Sequence, residues 1–214
     1  MNEAHNRATA VYGPIEKWSG GDSNLPKRYF DRITEFMKIQ KSCRNSANNC
    51  MSNKYKRLHT GLGTWNNFDG SPSAITVSSW SFKLIKESES SNCTTTTKTG
   101  YDGISCGINI YVDINGPQKG KNAFGIDTFV FDVTRNGVQP LGGGKWWNDD
   151  YMNSGNGTPD GYSDCFRYGT ICAAWVINTG NMDYIDISHD TATEGKCNNN
   201  GKTLSVTYSV FSCK

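Results

Sequence analysis

A chain of 214 residues carries 22 Lys and Arg against 20 Asp and Glu, a net charge of +2, with a mean hydropathy of −0.60. That length suits one well-buried domain, and 12% aromatic residues supply a core that a disordered chain lacks. The abundance of Gly, Asn, Ser and Thr points away from a compact helical enzyme and towards a loop-rich surface outside the cell.

Residues 1–18 place Ala4, Ala8, Val11, Tyr12 and Ile15 near helical spacing. They predict an amphipathic helix, with Pro14 near its end and Ser19-Gly20-Gly21 stopping it. A second helix is predicted over 25–41, capped by Ser23, with Pro26 in its first turn. Phe30, Ile33, Phe36 and Met37 form its apolar stripe and read as core. His5, in the first helix, and His59, in the basic loop that runs to Gly63, read as surface residues.

Residues 74–86 carry Ile75, Val77, Trp80, Phe82, Leu84 and Ile85, the chemistry of one long strand or two short ones. A Ser/Thr tract over 88–99 holds Cys93. Two further strands are predicted at 108–114 and 127–134, where Phe129 and Phe131 alternate with Val130 and Asp132. The connection between them, Asn115 to Ile126, has three glycines and one proline, which marks a structured loop too long for a tight hairpin. Residues 141–165 read as an extended loop. Ala173-Ala174 and the following Gly180 favour a two-turn helix over 171–178. Met182–Ile187 is then expected as a strand, and Thr203–Phe211, with Leu204, Val206, Tyr208 and Val210 on one face, as the last. Helices first and strands after give an α+β fold, with a mostly antiparallel sheet of four to five strands in a single domain over 1–214. Residues 74–214 form its sheet-rich part.

Eight cysteines, at 43, 50, 93, 106, 165, 172, 197 and 213, form an even set without any Cys-x-x-Cys. Zinc sites need close-spaced pairs, so disulfides and an oxidising compartment are expected. Eight cysteines allow about 105 pairings. Joining sequence neighbours, Cys43–Cys50, Cys93–Cys106, Cys165–Cys172 and Cys197–Cys213, is the cheapest of them to close.

Charge is uneven along the chain. Nine Lys and Arg lie between Lys27 and Arg57, against Asp31 and Glu35, whereas Trp146 to Glu194 holds eight acids against Arg167. The two segments either attract one another across neighbouring copies or are solvated faces that never meet. Lys27, Arg28, Arg32 and Lys38, interleaved with Tyr29, Phe30 and Tyr55, are candidate contacts for a partner surface. DNA is the less favoured occupant, a solvated helix face being the simpler reading.

Asp113, Asn115, Asn122 and Asp127 are hard oxygen donors around the Gly-rich loop, which makes them candidate calcium ligands. No bidentate glutamate completes an EF-hand, and an Asx-turn network that fixes the loop accounts for the same residues. The loop over 153–164 is a weaker candidate for the same ion. Trp146, Trp147 and Asp149 are candidate contacts for a glycan or another subunit, or core residues of the domain itself. The Gly-Lys-Trp-Trp-Asn-Asp run resembles a C-type lectin motif, but Gln139-Pro140-Leu141 matches that family's upstream triplet poorly. His189-Asp190 beside Asp186 offers a base with no Gly-x-Ser-x-Gly elbow, His-Glu-x-x-His or phosphate loop to work with, so no catalytic activity is expected.

Tyr12-Gly-Pro-Ile-Glu-Lys-Trp18, Cys106-Gly, the block Asp113-Ile-Asn-Gly116 to Gly125-Ile-Asp127-Thr-Phe129, and Cys172-Ala-Ala-Trp-Val-Ile follow one another in an order. That order resembles the globular heads of bacterial type IV pilins and type II secretion pseudopilins. The resemblance runs from the first helix to about Ile187. It implies a structural subunit of an extracellular filament serving adhesion, motility, DNA uptake or secretion, with other copies as partners. Residues 1–18 would then be the end of a longer helix whose apolar start, the only membrane contact expected, lies ahead of Met1. Some pseudopilin heads bind calcium, which the resemblance extends to the Asp113–Asp127 loop. The alternative is a secreted adhesin module that binds carbohydrate or a host surface through Trp146–Asp149.

Overall fold

The computed structural model describes residues 1–18, 24–45, 50–58, 64–65, 70–86, 93, 105–141, 165, 169–170, 172–186, 195–196, 203–207 and 210–213. Helix α1, Asn2–Tyr12, buries Ala4, His5 and Ala8 on one narrow face. Small side chains there let it lie close against α2, Leu25–Thr34, while Glu3 and Arg7 pair one turn apart on its exposed side. A short 3-10 turn, Ile15–Lys17, follows and seats Trp18 in the core, where its indole N–H donates to the Gly13 carbonyl at 2.8 Å. His5 is 1% exposed, which corrects the expectation of a surface residue. Its Nδ1 lies 3.1 Å from the Tyr29 hydroxyl, so it links α1 to α2.

Pro26 sits in the first turn of α2, and Leu25, Tyr29, Phe30 and Ile33 are its buried stripe. The helix ends at Thr34, about two turns before the expected Lys41. The Thr34 hydroxyl bonds back to the carbonyls of Phe30 and Asp31 at 2.8 and 3.1 Å. The chain then enters a strand, β1, Ile39–Cys43. Its central residues are exposed, so no apolar alternation announces it; pairing with β4 makes it a strand.

Six strands, β1, β4 (Ser73–Thr76), β5 (Ser81–Lys86), β6 (Ser105–Asp113), β7 (Thr128–Thr134) and β8 (Gly137–Pro140), form one antiparallel sheet in chain order. This is one or two strands more than expected: β1 and β8 are the additions. The segment 74–86 resolves into two strands across a tight turn. Two residues each of β2 (Tyr55–Lys56) and β3 (Thr64–Trp65) pair separately. Register sets the faces. Phe82 pairs with Val112 and Val112 with Phe129, while Leu84 pairs with Ile110 and Ile110 with Phe131. Phe82, Leu84, Ile110, Val112 and Phe131, together with Ile108, Val133 and Val138, form the floor of the main core under α1 and α2. On the other face Met51, Tyr55, Tyr111, Phe124 and Val130 make a second, smaller core.

Helix α3, Cys172–Thr179, appears where expected and packs on β7 and β8. Residues 183–186 are a 3-10 turn, not the strand expected over 182–187. Tyr184 turns inward there, its hydroxyl donating to the Gly125 carbonyl, a bond no strand alternation foretells. The single last strand is instead a hairpin, β10 (Thr203–Thr207) and β11 (Val210–Cys213), with β9 (Gly195–Lys196) on its other side. Three disulfides, Cys43–Cys50, Cys93–Cys106 and Cys165–Cys172, join sequence neighbours as expected. The pairing of Cys197 with Cys213 lies outside the described residues.

Candidate functional site

The loop from Ile114 to Asp127 is built by its two flanking aspartates. Asp113 closes β6 and Asp127 precedes β7, and both are buried. Backbone N–H groups of Asn115 and Gly116 donate to Asp113 Oδ1 at 3.3 and 2.8 Å, and the Tyr55 hydroxyl donates to Oδ2 at 3.1 Å. Asp127 gathers three more amides: Lys121 and Asn122 donate to Oδ2 at 2.7 and 2.9 Å, and Ala123 to Oδ1 at 2.7 Å. Each carboxylate therefore does for this loop what a capping residue does for a helix end. The far end of the loop is stitched to β2, Lys56 N–H donating to the Asn122 carbonyl and Phe124 N–H to the Lys56 carbonyl. Gly116 has φ +85°, and a Cβ there would run into the Ser79 carbonyl, so the loop and the β4–β5 turn meet backbone to backbone.

The four candidate calcium ligands are thus brought into one loop. Burial is the largest influence on Asp113 and pushes its carboxyl up to about 6, against the donated hydrogen bonds; the neighbouring Asp127 charge adds to the rise. Burial likewise raises the Tyr55 hydroxyl, with Asp113 second. The side-chain oxygens of Asn115 and Asn122 are buried and accept no hydrogen bond. Two carboxylates and two unpaired amide oxygens are a donor set suited to a hard divalent cation, which takes six to eight oxygens. Asp113, Asn115, Asn122 and Asp127 would hold such an ion, with water completing its shell.

Tyr55, like His5, is a residue that sequence reasoning misplaced. It stood in a Lys/Arg-rich segment as an accessible aromatic, yet it is fully buried, as are Tyr29 and Phe30. None of the three offers a face on which a nucleobase could stack. The only sequence hint was Met51 four residues before Tyr55, an apolar pair inside a polar stretch.

The basic candidates do not act as one surface. Arg28 donates to the Trp18 carbonyl. The Arg32 guanidinium lies over both Tyr12 and Trp18, 4.8 and 4.7 Å from their ring centres, and staples α1 to α2. Lys38 is exposed beyond α2, and Lys27 is half-buried. Trp146, Trp147 and Asp149 lie outside the described residues, as do His59, His189, Asp190 and the loop over 153–164. No protein-family model, curated protein or solved structure matches this chain. Among the described residues no helix is long and apolar enough to cross a membrane, and no cluster of three or more His, Cys, Asp or Glu is placed to hold a metal.

Proposed function

We propose that this chain is the head of an extracellular filament subunit of the type IV pilin kind, without catalytic activity, whose partners are other copies of itself or related subunits. The observation that carries the reading is the seating of α1. Its narrow Ala4/Ala8 face packs on α2 and on β8 of an antiparallel meander, which leaves its other faces, Val11 at 62% exposure among them, free for neighbours. Disulfides between close cysteines support an oxidising, extracellular setting. Contacts in such a filament are heterologous, one face meeting a different one.

Reading the frame upstream of Met1 tests this. A basic leader followed by about 20 apolar residues running in phase into α1 supports a membrane-stored subunit. A cleavable signal peptide alone removes the polymerising element and gives first place to a secreted adhesin that binds a glycan or host surface.

The unpaired oxygens of Asn115 and Asn122 favour a second property, a calcium ion bound in the Asp113–Asp127 loop. Calcium should then raise the melting temperature of the chain, and Asp127→Asn should abolish the shift. An unchanged melting temperature at millimolar calcium would count against the ion.

A further inference from the structure

We propose that the end of the molecule at which α1 begins is a docking surface for an anionic lipid membrane. The β4–β5 turn, the loop after Asp113, the end of α3 and Met1 meet there around an open cleft of about 610 Å³. Its walls are apolar: Met1, Trp80, Ile114, Phe131, Val138 and Ile177. Ile114 is 54% exposed and Ile177 58%; Val77, three residues before Trp80, is 56% exposed. These are half of the large hydrophobic side chains exposed among the described residues, gathered at one end. Such a patch costs solubility unless something covers it.

Charge selects the cover. Lys119 and Lys121 stand exposed on the loop that starts at Ile114, and Lys38 is exposed where its carbonyl accepts the Val77 N–H. The nearby acids are engaged: Asp113 and Asp127 are buried under backbone amides, and Glu3 in the first turn of α1 pairs with Arg7. An aliphatic patch lined in part by Trp80, with exposed lysines on the adjoining loop and beside the β4–β5 turn, offers the two signals that hold a protein reversibly on a membrane, apolar insertion and attraction to anionic headgroups. Apolar side chains enter the acyl boundary while the lysine ammonium groups stay at the headgroups. A lipid contact here needs no filament and is read on the isolated chain, so it stands or falls separately from the assembly reading.

Flotation of the chain with phosphatidylcholine vesicles, with and without phosphatidylglycerol, tests the proposal. The chain should float with the phosphatidylglycerol vesicles alone and lose binding as salt rises. Lys119→Glu with Lys121→Glu should weaken partitioning by more than about thirtyfold, the loss expected from neutralising the two lysines alone, and Ile114→Ser with Ile177→Ser by more than about tenfold. All four positions are exposed or nearly so, and circular dichroism checks that both variants fold. No flotation with either lipid, or equal flotation of the parent and both variants, overturns the proposal. So does a concentration-dependent dimer that the isoleucine variant abolishes in the absence of flotation, which assigns the face to a second copy.

Discussion

The two faces of the six-stranded sheet are both buried, but by different means. Under α1 and α2 the contacts are hydrocarbon on hydrocarbon: Phe82, Leu84, Ile108, Ile110 and Val133 against Ala4, Ala8, Phe30 and Ile33. The opposite face places Ser81 beside Asp113 and Asp113 beside Thr128, with Lys83 across from Tyr111 and Asn109 across from Asp132, all inaccessible or nearly so. Burial is non-directional and tolerates a change of shape at a cost in volume. A buried polar group tolerates almost nothing, because losing one partner strands the other. The first face therefore sets how stable the domain is, and the second sets which conformation the loop after β6 adopts.

The largest effect should come from the apolar face. Phe82 is fully buried with its ring 5.9 Å from Phe30 and 5.6 Å from Trp80. Phe82→Ala should cost about 4 kcal/mol in urea denaturation. Amide protection in the Asp127 loop should stay unchanged relative to the rest of the chain. On the polar face Asp127→Ala leaves three amides without an acceptor and should cost about 3 kcal/mol. Asp127→Asn keeps an oxygen and should cost clearly less; equal losses for the two would mean that the carboxylate does not organise the loop. Hydrogen exchange at residues 121–123 reads the local part of this directly.

Titration sharpens the same contrast, because each face holds a displaced group whose ordinary value lies below 7. The Asp113 carboxyl is raised to about 6 from an ordinary 3.8. The native state therefore binds the extra proton between these values. The stability this group contributes is complete below about pH 4 and is lost as pH rises through about 6. His5, on the apolar side, is lowered from 6.5 chiefly by burial, against a hydrogen bond to the Arg135 backbone. Its contribution is present above pH 6.5 and is lost as pH falls through its depressed value. In chelator, Asp113→Asn should flatten the slope of melting temperature between pH 4 and 6, and His5→Gln should flatten the one on the acid side. The smallest effect belongs to neither face. Arg7→Ala breaks an exposed pair with Glu3 and should leave the melting temperature within error.

Legibility in the sequence followed the same division. Elements that bury an apolar face were visible: α2 through Phe30 and Ile33, β6 through its run of strand-forming residues, and β7 through its alternation. The helix at 172–179 showed through Ala173-Ala174 with Gly180 after it. Elements made by hydrogen-bonded neighbours were not. β1 is polar and exposed, a strand only because β4 lies beside it, and β8 is four residues long. The Asp113 and Asp127 side chains stood out as oxygen donors, yet spacing carries no information on which amides they collect. Buried His5 and Tyr55 were unreadable for one physical reason: each polar tip is satisfied by a residue 24 or 58 positions away.

Asn2 gives the seating of α1 a mechanical consequence. Its side-chain oxygen accepts the Val138 N–H at 2.6 Å, so the first turn of the helix is hooked to strand β8. Tension applied to the chain at residue 1 would load that hook first and the His5–Tyr29 contact next, before any strand of the meander is peeled from its neighbour. The start of α1 is thus the coupling through which the domain would be towed, and Asn2→Ala should lower the force at which the helix detaches while leaving the sheet's own rupture force where it was.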